Sequence, residues 1–385
     1  MRRKSTLKIL GVKILVFLAG FCMLSCFMIG MTICAGNFTA NAAVFSAYLN
    51  MPEVSVQLIQ KGFSNSFYTQ SGSSEPASSD ALPVSSEPPV SSSQPVSSDS
   101  VSREDSSSSE SEPVVRPEDS GDIVEETFAS ILTTPIYTQF GSGCVRNYTS
   151  LSISYLNELL QTKASLKLQN SSAPQVLIVH THATESFQLN DYDFYIKGYN
   201  ARSTDSSVNM VAVGDVVAEI LEDAGIGVLH DDTYHDYPTY NGSYDRSEET
   251  IKKYLAEYPT IQVVLDLHRD AIERDDGSRI KPVTEIDGKK AAQIMIIAGC
   301  DDGTMNMPNW PENFRFAASL QDELEGLYPT LTRPLMLDYR NYNQHLTKAS
   351  ILIEIGGHAN TLNEAKYSAE MLGDALVKLL KGYMQ

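Results

Sequence analysis

From Val176 onward the chain alternates between two hydrophobic patterns: short uninterrupted apolar runs, and stretches where apolar residues recur every three or four positions. An uninterrupted run of β-branched and leucine residues is how a strand covered on both faces reads, while the longer spacing marks the stripe of an amphipathic helix. The predicted strands are the apolar run that opens the stretch Val176–Phe187, together with Ile226–Leu229, Ile261–Leu267 and Ser350–Ile355. A helix is predicted over Val208–Ala224, with Met210, Val213, Val217, Ile220 and Ala224 on one face and Gly225 as its stop. Others are predicted over Ser247–Glu257, capped by Ser247, over Phe314–Tyr328 before Pro329, and after Thr361, where Thr361-Leu362-Asn363-Glu364 reads as a capping box. Thr284–Ile286 and Ala291–Ala298 read as a hairpin turning at Asp287-Gly288. Strands alternating with helices predict an α/β domain of three layers, a mostly parallel central sheet flanked by helices. Residues 123–168 regain apolar character, contain a short helix within Ser150–Leu160, and belong to the edge of this domain, which spans residues 122–385.

Upstream the pattern is different. Residues 1–13 carry Arg2, Arg3, Lys4, Lys8 and Lys13 and form a basic cytoplasmic tail; residues 14–35 contain no charge at all and are long enough to span a bilayer. Ala40-Asn41-Ala42 resembles a cleavage site, but the apolar core is longer than a signal peptide's, which favours an uncleaved transmembrane signal anchor. A juxtamembrane segment, residues 36–70, follows. Residues 71–121 are Ser, Pro, Glu and Asp with scattered Val, a composition that buries too little apolar surface to offset its ordering entropy. This disordered tether of roughly 50 residues gives a typical reach of about 40 Å. The folded domain is expected outside the cell membrane.

The net charge of −19, from 48 acidic and 29 basic residues with no basic block beyond the first 13 positions, argues against a nucleic-acid partner. Three of the five cysteines lie in the apolar segment. Cys144 and Cys300 remain, readable as one bridge or as two small buried residues.

The candidate chemistry lies at strand ends, where ligands of open α/β sheets collect. The apolar run that opens at Val176 ends in His180, His182 and Glu185; Ile261–Leu267 runs into His268, flanked by Asp266, Arg269 and Asp270; and Glu354 lies within the last strand. Two histidines and a carboxylate with one position left for water make a catalytic zinc set, here His182, Glu185 and His268. Asp205, ahead of the first long helix, is the main rival to Glu185. Glu354, embedded in apolar residues, is the expected base, its pKa raised by burial. Asp266 or Asp270 is expected to hold the far ring nitrogen of a ligating histidine, and Arg269 to bind a substrate carboxylate or a developing oxyanion. Each residue alone reads as readily as structural; their combination at three strand ends is the argument. His180, His230, His235, His345 and His358 read as structural or substrate-side.

The stretches V-H-T-H-A-T-E-S-F, V-G-D-V-V-A-E-I-L, L-D-L-H-R-D and I-L-I-E-I-G-G-H-A-N-T, behind an anchor and a Ser/Pro-rich spacer, resemble the stage II sporulation protein P (SpoIIP) family. The resemblance implies a zinc-dependent N-acetylmuramoyl-L-alanine amidase acting on peptidoglycan, with the metal set on His182, Glu185 and His268 and the catalytic residue at Glu354. It also implies cleavage of peptide cross-links and a membrane complex with SpoIID and SpoIIM at the septum during forespore engulfment. In the wider amidase group the acidic ligand comes well after the first histidine, a register that points near Asp205. Two rivals stand beside this reading: a zinc peptidase acting on stem-peptide cross-links, and a catalytically inactive wall-binding scaffold.

Overall fold

The longest apolar runs become the middle of one sheet. β4 (Val176–Val179), β7 (Val263–Asp270) and β12 (Ala349–Gly357) are buried along their whole lengths. They pair in parallel, β12 with β7 and β7 with β4, with β6 (Val228–His230) beyond β4, so that their carboxyl ends share one edge. On the other side lie β10 (Ile294–Gly299), antiparallel to β12, then β11 (Leu335–Asp338), β3 (Gly143–Asn147) and β2 (Tyr137–Phe140), in the order β2-β3-β11-β10-β12-β7-β4-β6. The computed structural model describes residues 115–384 apart from 130, 131 and 133. Among these residues no helix is long and apolar enough to cross a membrane. The expected cytoplasmic tail, anchor and juxtamembrane segment, and most of the tether, lie outside the described residues.

Side-chain alternation sorts the helices onto two faces. Val176, Ile178, Val263, Leu265, Leu267, Ile351, Ile353 and Ile355 point into the main core with α2 (Met210–Asp223), α4 (Trp310–Leu327) and α5 (Leu362–Lys381). Leu177, Val179 and Val264 point the other way, against Ile251 of α3 (Ser243–Glu257). The fold is a mixed α/β one, with the even-numbered positions 266, 268 and 354 on the α3 side. The short α1 (Ile153–Leu159) is capped by Ser152. In α5 the capping box is complete, with Thr361 accepting from Glu364 N and the Glu364 carboxylate accepting from Thr361 N.

Some boundaries differ from the sequence expectations. Ser247 is not a cap: α3 starts four residues earlier after Gly242, which takes a left-handed φ of 76°. The hairpin turns at Asp287-Gly288 as expected, both with positive φ, but joins β8 (Arg279–Ile286) to β9 (Lys289–Ala292) only. The run Ala291–Ala298 is two strands in two sheets. The chain crosses between them at Gln293, whose buried amide bonds the carbonyls of Phe128 and Thr330. β8 and β9 belong to a four-stranded sheet, β5-β1-β8-β9, built with β1 (Ser120–Glu126) and β5 (Phe194–Ile196). Cys144 and Cys300 are separate, buried free thiols.

Candidate functional site

Beyond β4 the backbone turns tightly, Glu185 N donating to His182 O at 3.0 Å. Asp266 fixes this exit by accepting from Thr181 N and Thr181 Oγ1 at 2.8 and 2.7 Å. The two histidines of H-T-H then part. His180 faces α2, its Nδ1 donating to Leu267 O at 3.0 Å and its Nε2 lying 2.8 Å from His230 Nε2. That contact needs a glycine at 214, where a Cβ would stand 2.5 Å from His230 Nε2. His182 turns toward β7 instead, its ring centroid 5.3 Å from that of His268 and nearly perpendicular to it.

Glu185 reaches the same place: its Oε2 is 3.6 Å from His268 Nδ1 and accepts from Arg269 N at 3.1 Å. Asp266 Oδ1 lies 2.9 Å from His268 Nε2. Asp270 pairs with buried Arg333 at 2.8 Å. Glu354 is the register partner of His268, so the two side chains share a face. Four of the sequence-picked residues, His182, Glu185, His268 and Glu354, therefore meet on one edge of the sheet, and all four are buried.

Burial and neighbouring charge set their protonation. Burial pushes His182 down to about 3, so it is a neutral imidazole. Burial would lower His268 too, but Asp266 and Glu185 outweigh it and hold it well above the ordinary histidine range. Burial would raise Glu185, yet His268 and Arg269 keep it below the usual carboxylate range. Glu354 is pushed up to about 8, by burial first and then by Asp270 and Glu185 against the pull of His268.

Two expectations change. Asp205 is exposed, its carboxylate accepting from Ser207 N and Oγ at 2.9 and 2.7 Å in a local turn. Arg269 is committed to backbone: Nε donates to Ser186 O at 2.8 Å, Nη2 to Ala201 O at 2.6 Å and Nη1 to Asp270 O at 3.3 Å. It clamps the 186–201 loop against β7 rather than presenting its fork to a substrate. Of the remaining histidines, His235 bonds His180 O, and His345 pairs with Glu248 at 3.0 Å.

Several groups in the site carry no sequence pattern. Asp236 is fully buried 3.8 Å from His182 Nδ1, accepting from Thr184 Oγ1 and from Arg202, which also reaches Glu185 Oε1 at 3.5 Å. Tyr240 lies parallel to the His182 ring at 4.6 Å, Tyr244 is stacked on His268 at 6.4 Å, and Tyr342 packs on Tyr244 at 5.3 Å. All come from loops or helix starts that carry no hydrophobic period, and only their proximity in the fold reveals them.

The donor types, two imidazoles and a carboxylate, are those of a zinc site, and His182 Nδ1 and His268 Nε2 are buried and lack well-aligned hydrogen-bond partners among the described residues. This set is more open than another cluster, Glu125, Asp191 and Glu364, whose ligand oxygens all lie within 4.8 Å of one another. That cluster already holds its cations. Lys281 Nζ lies 2.6 Å from Glu364 and 3.0 Å from Glu125, and Lys290 contacts Glu125 and Asp191.

The chain matches the model of the family described as Stage II sporulation protein P (SpoIIP) over residues 57–377. It is 30% identical over 217 residues to the stage II sporulation protein P of Bacillus subtilis (strain 168), a match covering 53% of this chain and 50% of that one. The chain thus spans about half the length of that curated relative. Similar solved structures include the CwlD amidase from Clostridioides difficile in complex with the GerS lipoprotein, at 15% identity, 54% of this chain, 98% of that chain and a TM-score of 0.34. Another is the N-acetylmuramyl-L-alanine amidase Ami1 from Mycobacterium abscessus, at 13%, 55%, 99% and 0.33. Likenesses of that size leave the chemistry to be read from this chain's own residues.

Proposed function

The chain belongs to the stage II sporulation protein P family, and from that premise we propose that it is a zinc-dependent peptidoglycan hydrolase of sporulation. In this reading it cuts the amide between N-acetylmuramic acid and the L-alanine of the stem peptide. The observation that carries the reading is Glu354, a buried carboxylate with an unpaired oxygen and a pKa pushed up to about 8, on the same face as His268, whose ring neighbours His182 and Glu185.

His182, Glu185 and His268 would hold the zinc, which when bound supplies Lewis-acid polarisation of the scissile carbonyl and acidifies water. Glu354 takes the proton of the attacking water and returns it to the departing amine, a task suited to a carboxyl whose pKa lies near the working pH. Asp266 orients His268, and Arg269 and Asp266 hold the two segments that bring Glu185 and His182 to the site. Burial keeps His182 neutral and able to act as a ligand, whereas His268, held protonated by Asp266 and Glu185, would have to release a proton as zinc bound.

Residues 14–35 would anchor the protein in the cell membrane with its catalytic domain outside, and the Ser/Pro-rich tether would let that domain reach wall material away from the bilayer. Forespore-septum location and a complex with SpoIID- and SpoIIM-like proteins follow from the family resemblance and complete the proposal. Digestion of purified, cross-linked peptidoglycan tests it. New amino groups on L-alanine are the expected product. New amino groups on a cross-link residue instead would make the protein an endopeptidase using the same residues. No bond cleaved by wild type would leave a wall-binding scaffold.

A further inference from the structure

Tyr342 stands out among the described residues by three independent features. Its φ is 45°, followed by 58° at Asn343, two successive bulky or branched-polar residues in the left-handed region that favours glycine. Its hydroxyl is buried and has no hydrogen-bond partner among the described residues. Its ring packs 5.3 Å from Tyr244, which is itself stacked on His268.

The strain at this point is held in place from several directions. Asn343 Nδ2 donates to Tyr244 O at 2.9 Å and Ser247 Oγ at 3.0 Å, tying the loop to α3. Gln344 is tied to β10 through Gly299 N and Ile297 O, at 2.8 and 3.0 Å, and its own carbonyl accepts from Asn313 Nδ2 at 2.6 Å. A loop fixed this firmly into an unfavourable backbone conformation, with a polar group left unsatisfied at its tip, spends stability on something other than folding.

We propose that Tyr342 is a further catalytic residue, whose hydroxyl donates a hydrogen bond to the carbonyl oxygen of the amide being cleaved. This rests on the amide-hydrolysis reading of the site. Burial, then the charges of Glu354 and Asp338, raise the pKa of the phenol despite Arg340. The phenol therefore stays protonated, a donor, at neutral pH. A donor fixed in advance costs no reorganisation as negative charge gathers on the carbonyl oxygen. No atom is transferred to or from Tyr342; the proton of the attacking water remains the task of Glu354.

The test is Tyr342→Phe in the full chain, which removes the oxygen and keeps the ring. With soluble peptidoglycan fragments, kcat/KM is expected to fall about 100-fold, chiefly in kcat. Zinc content should be unchanged and Tm unchanged or higher, because an unpaired buried hydroxyl has been removed. Unchanged kcat, or a kcat loss matched by lower Tm and zinc content, would overturn the proposal. A second measurement separates it from the functional reading. In the Glu354→Gln protein, which cannot turn over, affinity for N-acetylmuramoyl-L-alanyl-D-isoglutamine is measured by calorimetry with and without Y342F. About fivefold weaker binding is expected on losing one neutral hydrogen bond, and equal binding overturns the role of Tyr342. If wild type hydrolyses nothing, the amidase reading fails and the catalytic role of Tyr342 fails with it, whereas hydrolysis by wild type with unchanged kcat and equal binding in the Tyr342→Phe proteins overturns Tyr342 alone.

Discussion

Replacing Glu354 by glutamine is expected to stabilise the metal-free protein at alkaline pH while ending hydrolysis. In the ion-free fold this carboxyl is pushed up to about 8 from an ordinary 4.5, by burial and by the charges of Asp270 and Glu185, with His268 and Arg333 pulling the other way. A carboxyl with a higher pKa in the folded than in the unfolded state binds its proton more tightly when folded. Its contribution to stability is fully present below about 4.5 and is lost as pH rises through about 8. Glu354 is only 8% exposed, so solvent screens little of this. At about 1.4 kcal/mol per tenfold change in proton affinity, the loss approaches an upper bound of about 5 kcal/mol by pH 9. Glutamine has the same shape and no charge to bury. Urea denaturation in the presence of a chelator, at pH 5, 7 and 9, should show wild type losing stability over this range and Glu354→Gln losing several kcal/mol less. Restoring zinc should shrink the wild-type loss, because a nearby cation favours the charged carboxylate. Identical pH profiles for the two proteins would refute the placement of Glu354 as a buried, electrostatically disfavoured base.

Further outcomes follow from other named contacts. Lys281→Met strands the buried Glu364 carboxylate, 2.6 Å from the lost ammonium, and should lower stability by about 3 kcal/mol in urea denaturation; changing Glu364 to Gln as well should recover part of it. Arg269→Met removes donors to the carbonyls of Ser186, Ala201 and Asp270 and should cost about 3 kcal/mol of stability. An activity loss with unchanged stability would return Arg269 to the chemistry. Asp205→Asn should leave zinc content untouched by elemental analysis, whereas Glu185→Gln should lower it; the reverse pattern would restore the rival ligand.

The parts of the fold legible in the sequence are those whose physics is local. β4, β7 and β12 announce themselves because a strand buried on both faces must be apolar without interruption. α5 does so because Thr361 and Glu364 satisfy each other's backbone within one turn. The same logic located His182, Glu185, His268 and Glu354, since polar residues directly beyond or inside such runs have few other reasons to be there. The small sheet was not legible: β5 is three residues long and β1 pairs with partners far along the chain, so neither carries a usable period. Gln293 hides the change of sheet inside an apolar run, and Ser247 looks like a cap yet lies within α3, where its hydroxyl bonds Tyr244 O. Arg269 beside a ligand looks catalytic until its three carbonyl partners are seen. Asp236, Tyr240 and Tyr342 enter the site from loops, where only the folded chain shows what they face.

The most direct test of the central claim is to measure bound zinc and amide hydrolysis together in wild type, His182→Ala and Glu354→Gln. The account predicts about one zinc per chain in wild type and in Glu354→Gln, none in His182→Ala, and hydrolysis in wild type only. Zinc absent from wild type, or Glu354→Gln hydrolysing as fast as wild type, would contradict it.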